Sequence, residues 1–529
     1  MTGLLHELLL EAADRAPEDC AIVCKDESIT YATLAASAAR FAGGLIDAGL
    51  HGGDRVAVYL SKRPETVAAI FGATLAGGVF VPVNPLLKVD QLVHILRDCS
   101  VRVLVTTAKT LAGMRAALAA CPDLAILIAV DGSAAADTAG HQRSVCWQSL
   151  LDRGGDVALP RVTTDADVAA IFYTSGSTGK PKGVVLSHRN MVAGARSVAE
   201  YLGNRATDRL LAVLPLSFDY GFSQLTTAFH AGASVALLDY LFPQDVIKAV
   251  EKYAITGLAG VPPLWIQLAK REWPQSAIAG LRYMTNSGGA MPRATLDALR
   301  AKLPKSRFFL MYGLTEAFRS TYLPPEELDR RPDSMGKAIP NAEVRVMRED
   351  GSRCAPGEPG ELVHRGALVA LGYWNDPERT AKRFRPVPGQ VDGLVLPELA
   401  VWSGDTVTQD EDGFFYFVGR QDDMIKTSGY RVSPAEVETA VYMAKSVTEA
   451  VATGVPHPEL GQAIVVVAVV AQGQEQDTDE VLAECRAQLP NYMIPARVEW
   501  WPELPRNPNG KLDRKRIQAD LQDLFEEGH

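Results

Sequence analysis

The stretch from Tyr173 to Gly183 limits what this chain can fold into more than any other segment, because it places a donor-rich loop between two apolar runs. The runs Val168–Phe172 and Gly183–Leu186 are each typical of a buried strand. Glycines allow backbone N–H groups to turn toward one point, and hydroxyl and lysine side chains add donors and positive charge that suit phosphate. The predicted phosphate ligands are Thr174, Ser175, Gly176, Ser177, Thr178, Gly179, Lys180 and Lys182.

This loop is not the Walker A motif of nucleotide-binding proteins. Walker A has four residues between its first glycine and Gly-Lys-Ser/Thr, and a helix follows at once. Here Pro181 follows Lys180, and the next residues are predicted to form a strand. A plain solvated surface loop is the alternative, but such loops seldom need this density of donors between two buried strands.

Length, charge and cysteine content restrict the class of protein. A chain of 529 residues exceeds one ordinary core, so at least two domains are expected. The net charge of −10 and the absence of a basic tract argue against binding to nucleic acid or to an anionic membrane surface. The seven cysteines include no Cys-x-x-Cys pair, and the N-terminus lacks the basic start and apolar segment of a signal peptide. We therefore expect reduced thiols and a cytoplasmic protein.

Predicted helices and strands alternate from residue 28 to about residue 340, which indicates an α/β domain with mostly parallel strands. Short alternating strands follow, as at Glu343–Met347, Glu361–His364 and Phe414–Val418, and they predict a β-rich subdomain. The polar stretch Gly419–Asp423 is a candidate domain boundary. Residues 424–529 are predicted to form a small α+β domain.

Two predicted strands end at glycine-containing loops. Tyr283–Thr285 leads into Ser287-Gly-Gly-Ala290, and Phe308–Met311 leads into Tyr312-Gly-Leu-Thr-Glu316. Open α/β sheets bind ligands in the crevice at the carboxyl ends of their strands. The two loops are therefore predicted to border one ligand crevice.

The donor-rich loop resembles the signature of the adenylate-forming superfamily, which includes acyl-CoA synthetases, peptide-synthetase adenylation domains and luciferases. Six further segments are similar to core motifs of that superfamily in order and spacing: Tyr312–Glu316, Gly360–Glu361, Ser403–Asp405, Gly419–Asp422, Lys426–Arg431 and Asn509–Lys511. The resemblance implies a large N-terminal domain over residues 1–419, a hinge at 420–423 and a small mobile C-terminal domain over 424–529. It also implies MgATP-dependent conversion of a carboxylic acid to an acyl adenylate, followed by transfer to the thiol of coenzyme A or of phosphopantetheine.

The same resemblance implies roles for individual residues. Lys511 would neutralise charge between the substrate carboxylate and the α-phosphate, and Glu316, beside Thr315, would hold Mg²⁺. Tyr312 would stack on adenine, and Asp405 would accept hydrogen bonds from the ribose. The nucleotide ligands implied are Gly288, Gly289, Ala290, Tyr312, Gly313, Asp405 and Arg420. The residues alone leave other roles open: a solvated turn lysine at 511, a helix N-cap partner at 316, a core aromatic at 312 and a surface acid at 405.

The C-terminal motifs imply that the C-terminal domain rotates about Asp422 between the two half-reactions; an ordinary linker acid is the alternative. Rotation would replace Lys511 at the site by the residues of the thiol tunnel, which are Lys426, Gly429, Tyr430 and Arg431. The segment from Pro505 to Lys511 also resembles the site that protein acetyltransferases modify in acyl-CoA synthetases. A lysine acetyltransferase that acts on Lys511 is therefore an expected partner.

The family's substrate pocket maps onto Phe218, Asp219, Tyr220, Ser223, Thr285, Ser287, Met311 and Arg319. Phe218 stands where many acyl-CoA synthetases carry histidine, and Asp219 stands where amino-acid-activating domains bind the substrate ammonium. A buried acid needs a cation, so Asp219 either binds a substrate cation or pairs with Arg319, and the sequence leaves both open. The pocket is moderately polar and is not an obvious fatty-acyl tunnel.

The preferred hypothesis is an AMP-forming acid–thiol ligase that acts on a small carboxylic or amino acid. Because no carrier domain follows residue 529, the acceptor is expected to be a separate molecule, either coenzyme A or an acyl carrier protein. The chain resembles, more weakly, stand-alone ligases associated with exosortase systems and stand-alone prolyl–carrier-protein ligases. The alternatives are an amino-acid adenylating enzyme that loads a carrier protein, an adenylating amide-bond-forming enzyme, and a non-catalytic nucleotide-binding protein. The last is disfavoured because Lys511 and Glu316 are both present.

Overall fold

The structure is a computed structural model. It describes residues 3–132, 142–155, 157–159, 163–174, 181–291, 293–387, 389, 393, 397–420, 424–471, 473–505 and 514–525. For Ala294, Gly419, Arg420, Ala435 and Lys515 it describes the backbone alone.

The two strands that flank the donor-rich loop belong to a sheet with eight strands in the described residues. In spatial order the strands are Gly372–Tyr373, Lys182–Ser187, Val168–Thr174, Val79–Pro82, Arg55–Val58, Val101–Thr106, Ile126–Ala129 and Arg143–Cys146. Val168–Thr174 and the five strands after it run parallel, whereas Lys182–Ser187 pairs antiparallel with Val168–Thr174. In the strand Val101–Thr106, Val103 and Val105 pack into one hydrophobic core and Val101 and Leu104 into another, so this interior strand is apolar on both faces.

A second sheet holds the ligand crevice and has fourteen strands in the part of the chain that the structure describes. In spatial order they are Ala342–Met347, Gly360–Gly366, Leu399–Gln409, Phe415–Arg420, Ser334–Ala338, Thr321–Leu323, Arg307–Tyr312, Tyr283–Asn286, Gly257–Gly260, Arg209–Ala212, Ser234–Leu237, Cys20–Cys24 and Glu27–Thr30, with Phe384–Pro386 beside Leu399–Gln409. The strands from Arg307–Tyr312 to Cys20–Cys24 run parallel, and those on the other side of Arg307–Tyr312 run antiparallel. The predicted parallel unit and the predicted β-rich region are confirmed, and they share one sheet.

A third sheet is built from the C-terminal residues. Its strands are Tyr430–Val432, Ile425–Thr427, Gly461–Val470 and Val447–His457, with Arg497–Trp500 beside Gly461–Val470. The helices Pro434–Val441 and Thr478–Gln488 share a core with one face of this sheet, and Arg514–Asp520 shares a core with the other. The predicted α+β character of the C-terminal region is therefore confirmed.

The remaining helices pack on the first two sheets. They are Glu7–Arg15, Tyr31–Asp47, Pro64–Leu75, Val89–Asp98, Ala108–Leu118, Trp147–Arg153, His188–Leu202, Asp219–Ala231, Pro243–Lys252, Pro262–Ala269, Gln275–Gly280, Arg293–Lys302 and Pro377–Arg383, with single 3-10 turns at Thr315–Ala317, Pro325–Glu327 and Asn491–Met493. Within the described ranges, no helix has both the length and the apolar character that crossing a membrane requires.

The predicted crevice lies where adjacent parallel strands end. Tyr283–Asn286 and Arg307–Tyr312 are paired in register, so the loops that follow them meet at one edge of the second sheet. The C-terminal hairpin around Gly429 packs against this edge, where Tyr430 contacts Phe218. The described part of the site therefore comprises loops of the second sheet, the strand ends at Thr174 and Lys182 of the first and a hairpin of the third.

Candidate active site

Thr174 and Lys182 lie opposite each other at the base of the predicted phosphate loop, where two strands pair antiparallel. The Thr174 hydroxyl is buried and has no hydrogen-bond partner among the described residues. An orphaned donor at this place fits a phosphate oxygen. The predicted site residues that lie outside the described residues are Ser175, Gly176, Ser177, Thr178, Gly179, Lys180, Asp422 and Lys511.

Glu316 forms the centre of a buried cluster of charge. It lies in a single 3-10 turn, Thr315–Ala317, and only 2% of it is exposed. Lys182 Nζ donates to Glu316 Oε1 at 2.9 Å, and the Tyr373 hydroxyl donates to the same oxygen at 2.7 Å. Burial by itself favours the neutral acid, but the charges of Lys182 and Arg383 outweigh it and lower the pKa of Glu316 to about 2. The carboxylate is therefore ionised at neutral pH, as a Mg²⁺ ligand must be.

Tyr312 and Asp405, two of the predicted nucleotide ligands, meet at one side of the crevice. The Tyr312 hydroxyl donates to Asp405 Oδ2 at 2.5 Å, and Asp405 is only 1% exposed. The alternative of a solvent-facing acid at this position is therefore wrong. Asp405 lies directly opposite Arg420 in the neighbouring strand, so the backbone brings the two predicted ribose ligands together.

Gly288, Gly289 and Ala290 form one wall of a cavity of about 470 Å³. Gly288 has a φ of 82°, and a Cβ added at Gly289 would lie 3.1 Å from Pro262. Side chains at these two positions would therefore narrow the cavity. Open backbone of this kind fits the close approach of a flat base, as predicted for adenine.

Five of the eight predicted pocket residues line a second cavity, of about 190 Å³. The five are Phe218, Asp219, Tyr220, Ser287 and Arg319. The other three, Ser223, Thr285 and Met311, are buried and are not among the described residues that line this cavity. The Tyr220 hydroxyl and Thr285 Oγ1 are hydrogen-bonded at 2.7 Å, so Thr285 supports the wall that Tyr220 forms.

Asp219 and Arg319 do not form the ion pair that the sequence left open. Both residues are described, and no nitrogen of Arg319 lies within 4.0 Å of the Asp219 carboxylate. Asp219 Oδ1 instead accepts from the Thr315 hydroxyl at 2.9 Å, and Arg319 Nη1 donates to Ser287 Oγ at 2.9 Å. Burial raises the pKa of Asp219, and the charge of Arg319 offsets only part of this effect. Because Thr315 binds Asp219, it does not act as an N-cap partner of Glu316.

The C-terminal hairpin of residues 425–432 closes the second cavity. Gly429, at its turn, has a φ of 83°, and a Cβ added there would lie 2.8 Å from Val261 Cγ2. The ring centroid of Tyr430 lies 5.1 Å from that of Phe218. The predicted tunnel residues Gly429, Tyr430 and Arg431 line the smaller cavity, and Lys426 and Gly429 line the larger one.

The sequence did not indicate three contacts at the site. Tyr373 bonds to Glu316, Gln91 Nε2 donates to Glu436 Oε1 at 2.7 Å, and Tyr430 stacks on Tyr492 at a centroid distance of 3.7 Å. Gln91 and Glu436 are 345 positions apart. None of these contacts carries a local signal, because a pattern along the chain does not show which distant residue a side chain meets.

Two family descriptions match the chain: AMP-binding enzyme over residues 9–374, and AMP-binding enzyme C-terminal domain over residues 436–511. A feruloyl-CoA synthase from Amycolatopsis sp is 34% identical over 515 residues, which cover 96% of this chain and 96% of that protein.

Two solved structures of one enzyme match this chain to different degrees. A double mutant of o-succinylbenzoate CoA synthetase from Bacillus subtilis, bound with its product analogue OSB-NCoA, has a TM-score of 0.81 at 25% identity and covers 99% of this chain and 98% of its own. The same synthetase in complex with the acyl-adenylate intermediate OSB-AMP has a TM-score of 0.67 at 26% identity and covers 97% of each chain. The present arrangement is thus closer to that of the complex with the coenzyme A analogue.

Proposed function

Because the chain belongs to the adenylate-forming family of AMP-binding enzymes, we propose that it activates a small polar carboxylic acid with ATP and transfers the acyl group to coenzyme A. It is an AMP-forming acid–thiol ligase of the acyl-CoA synthetase type. One observation carries the proposal for this chain: the turn at Gly429 and Tyr430 closes the same cavity that Phe218 and Asp219 line. The acyl pocket and the hairpin of the thiol step thus form one site.

In the first half-reaction, an oxygen of the substrate carboxylate attacks the α-phosphorus of ATP and pyrophosphate leaves. This chemistry needs positioning and charge neutralisation more than covalent help from the protein. Thr174, Lys182 and the loop between them would bind the leaving phosphates. Glu316 would hold the Mg²⁺ ion, which neutralises phosphate charge when it is bound. Lys511 would neutralise the charge that develops at the α-phosphate.

The nucleoside would bind on the other side of the crevice. The buried Asp405 carboxylate offers two acceptor oxygens to the ribose hydroxyls, with Arg420 opposite it in the next strand. Tyr312 would stack on the adenine while its hydroxyl stays on Asp405. Gly288 and Gly289 would allow the backbone to approach the base.

In the second half-reaction, the thiol sulfur attacks the acyl carbonyl carbon, the thiol proton is lost and AMP leaves. The path of the thiol would run between the hairpin residues Gly429, Tyr430 and Arg431 and the acyl pocket. The higher TM-score to the synthetase bound with a coenzyme A analogue supports the assignment of the present arrangement to this step.

We further propose that residues 1–419 and 424–529 are separate domains joined by a hinge at 420–423, with rotation about Asp422. Two family descriptions that end at residue 374 and begin at residue 436, and the separate C-terminal cores, support this division. Adenylation needs Lys511 at the phosphates, whereas thiol attack needs the hairpin at Gly429. Polar hinge residues allow such a change of backbone dihedral angles at low cost.

A free acyl carrier protein that receives an amino acid is the second candidate acceptor. Asp219, which is partly buried and lines the acyl cavity, favours this alternative, because it lies where amino-acid-activating domains bind the substrate ammonium. We also propose a lysine acetyltransferase as a regulatory partner, since acetylation of Lys511 would remove the charge that adenylation needs.

A pyrophosphate-release screen over carboxylic and amino acids, with and without coenzyme A, tests the proposed function. We expect acid-dependent pyrophosphate release, and a thioester when coenzyme A is present. Adenylation without a thioester would favour a carrier protein or an amine as the acceptor. If none of the acids causes pyrophosphate release, the proposed function is contradicted.

The contact between Gln91 and Glu436 predicts that the present arrangement weakens as pH rises. Burial raises the pKa of Glu436 from 4.5 to about 7, and the hydrogen bond from Gln91 offsets only part of the shift. The present arrangement therefore favours protonated Glu436. The stabilisation is complete below about pH 4.5 and is lost as pH rises through about 7, and the equilibrium constant for this arrangement falls by at most about tenfold per pH unit. The neighbouring Tyr430 and Tyr492 have raised pKa values, so both stay neutral over this range.

The measurement is the rate of thioester formation from a supplied acyl adenylate, for the wild type and for Glu436→Gln. The thiol itself becomes more reactive as pH rises. The glutamine variant corrects for this, because its thiol step changes with pH in the same way while its contact with Gln91 does not titrate. We expect the wild-type rate to fall relative to the variant between about pH 5 and about pH 7.5. A constant ratio over this interval would show that Glu436 does not titrate on docking.

A further inference from the structure

We propose that the substrate acid carries a second carboxylate, which binds the free edge of Arg319 in the acyl pocket. The inference rests on the proposed function, because it takes the cavity of about 190 Å³ as the acyl-binding site. It adds the chemical class of the substrate: a dicarboxylic acid, of which one carboxylate reacts with ATP and the other is bound.

Arg319 is a buried cation with an unused set of donors. Only 2% of the residue is exposed. Its Nη1 donates to Ser287 Oγ at 2.9 Å, whereas Nε and Nη2 are buried without a hydrogen-bond partner in the described part of the chain. Arginine stays protonated in proteins, so burial does not remove its charge. A buried charge with unsatisfied donors is strongly unfavourable, so its acceptors must come from what fills the cavity, either water or a ligand that displaces it.

The two unused nitrogens form the edge that suits a carboxylate. Nε–H and one N–H of Nη2 run parallel, and a carboxylate accepts from both at once. The flat face of the guanidinium is already used, since its carbon lies 4.7 Å from the centroid of the Tyr220 ring. Nη1 is already bonded to Ser287, so Arg319 presents its Nε and Nη2 edge to a ligand.

The acids near the pocket do not supply the two missing oxygens. Asp219 is bound by Thr315 and lies beyond ion-pair distance of Arg319. Glu436, which also lines the cavity, accepts from Gln91, and Glu316 is bound by Lys182. Burial also raises the pKa of Asp219, which lessens its repulsion of an incoming anion. A second carboxylate on the substrate would therefore meet the free donors of Arg319, and its repulsion by Asp219 would be weaker than that from an acid with an ordinary pKa.

A purely apolar acyl group would leave two polar groups of this cavity without partners. Much of the lining is apolar, as at Val83, Leu87 and Ile95, but it also includes Arg319 and Ser217, whose Oγ is buried and has no partner among the described residues. A hydrocarbon chain would leave both groups unsatisfied and further from water. A site built to hydrogen-bond a polar group discriminates strongly against the analogue that lacks it.

The test compares diacids with monoacids of the same skeleton by acid-dependent pyrophosphate release. The pairs are succinate and butanoate, glutarate and pentanoate, adipate and hexanoate, and isophthalate and benzoate. For at least one pair, we expect a kcat/KM at least about tenfold higher for the diacid. Monomethyl glutarate, in which one carboxylate is blocked, tests the same contact on the unchanged enzyme and should lose the preference.

Two variants connect the preference to Arg319. Arg319→Met keeps the length of the side chain and removes the charge, so it should lose the preference for diacids while it still uses monoacids. Arg319→Lys keeps the charge without the two-pronged edge and should retain part of the preference. Thermal unfolding without substrate shows whether each variant is folded. If neither variant folds, the comparison of glutarate with monomethyl glutarate on the unchanged enzyme still tests the contact.

The outcomes separate this inference from the proposed function. If no diacid exceeds its monoacid, or if the methyl ester is used as well as the diacid, the role of Arg319 is wrong, while pyrophosphate release with any monoacid still upholds the proposed function. Exclusive use of amino acids with one carboxylate would also overturn the inference, in favour of ammonium binding by Asp219. If none of the acids causes pyrophosphate release, both the role of Arg319 and the proposed function are contradicted.

Discussion

Replacement of Lys511 by alanine should slow acyl-adenylate formation by about a hundred- to a thousandfold, which corresponds to about 3–4 kcal/mol. Lys511 is the single ammonium expected where charge develops between the carboxylate and the α-phosphate. The second half-reaction should keep its rate, because pyrophosphate has already left when the thiol attacks. Acid-dependent pyrophosphate release and thioester formation from a supplied acyl adenylate measure the two steps separately.

Lys305→Ala is a matched control, since it removes one exposed lysine from the loop before the strand Arg307–Tyr312. It should leave both half-reactions unchanged. Enzyme acetylated at Lys511, identified by mass spectrometry, should behave like Lys511→Ala because it lacks the same charge. Equal loss of both half-reactions in Lys511→Ala would refute its assignment to adenylation alone.

The sequence predicted the parts of the fold that depend on local patterns. The apolar run Val168–Phe172 is the strand Val168–Thr174, and the short strands after residue 340 are present within one residue or two of their predicted bounds. Apolar runs and the glycines that end them act over a few residues, so their effect is visible in the sequence. The edge at which Gly288 and Gly313 meet follows from the parallel pairing of the two strands before them.

The partners of the buried charges could not be predicted in the same way. The sequence left open whether Asp219 pairs with Arg319 or binds a substrate cation, and it did not indicate that Asp219 accepts a hydrogen bond from Thr315. Likewise, Tyr373 comes from a strand pairing on the first sheet, and no pattern around it indicates that it reaches Glu316. Such pairings depend on side-chain directions to within about an ångström, which depend on tertiary packing and not on spacing along the chain. Arg319 was foreseen as a pocket residue, whereas its unsatisfied edge is visible only in the structure.

Gly429→Ala should slow thiol transfer by about thirtyfold and leave adenylation unchanged. A Cβ at this position would lie 2.8 and 3.0 Å from the two Cγ atoms of Val261. Relieving such overpacking costs about 1–3 kcal/mol, and the middle of that range corresponds to about thirtyfold in rate. The clash arises only where the hairpin closes the acyl cavity, so pyrophosphate release in the other arrangement should be unaffected.

Three further variants isolate the clash from the backbone strain at Gly429, whose φ is 83°. Gly473 has a φ of 79° and no atom within 4 Å of an added Cβ, so Gly473→Ala carries similar strain without a clash and should transfer the thiol normally. Adding Val261→Ala to Gly429→Ala removes both Cγ atoms and leaves the Val261 Cβ at 3.1 Å, so it should restore part of the rate. Val261→Ala alone measures how the smaller side chain in the cavity wall affects the rate of thiol transfer. If Gly429→Ala transfers the thiol at the wild-type rate, the hairpin does not close on the acyl cavity during this step, and the present arrangement belongs to another stage of the reaction.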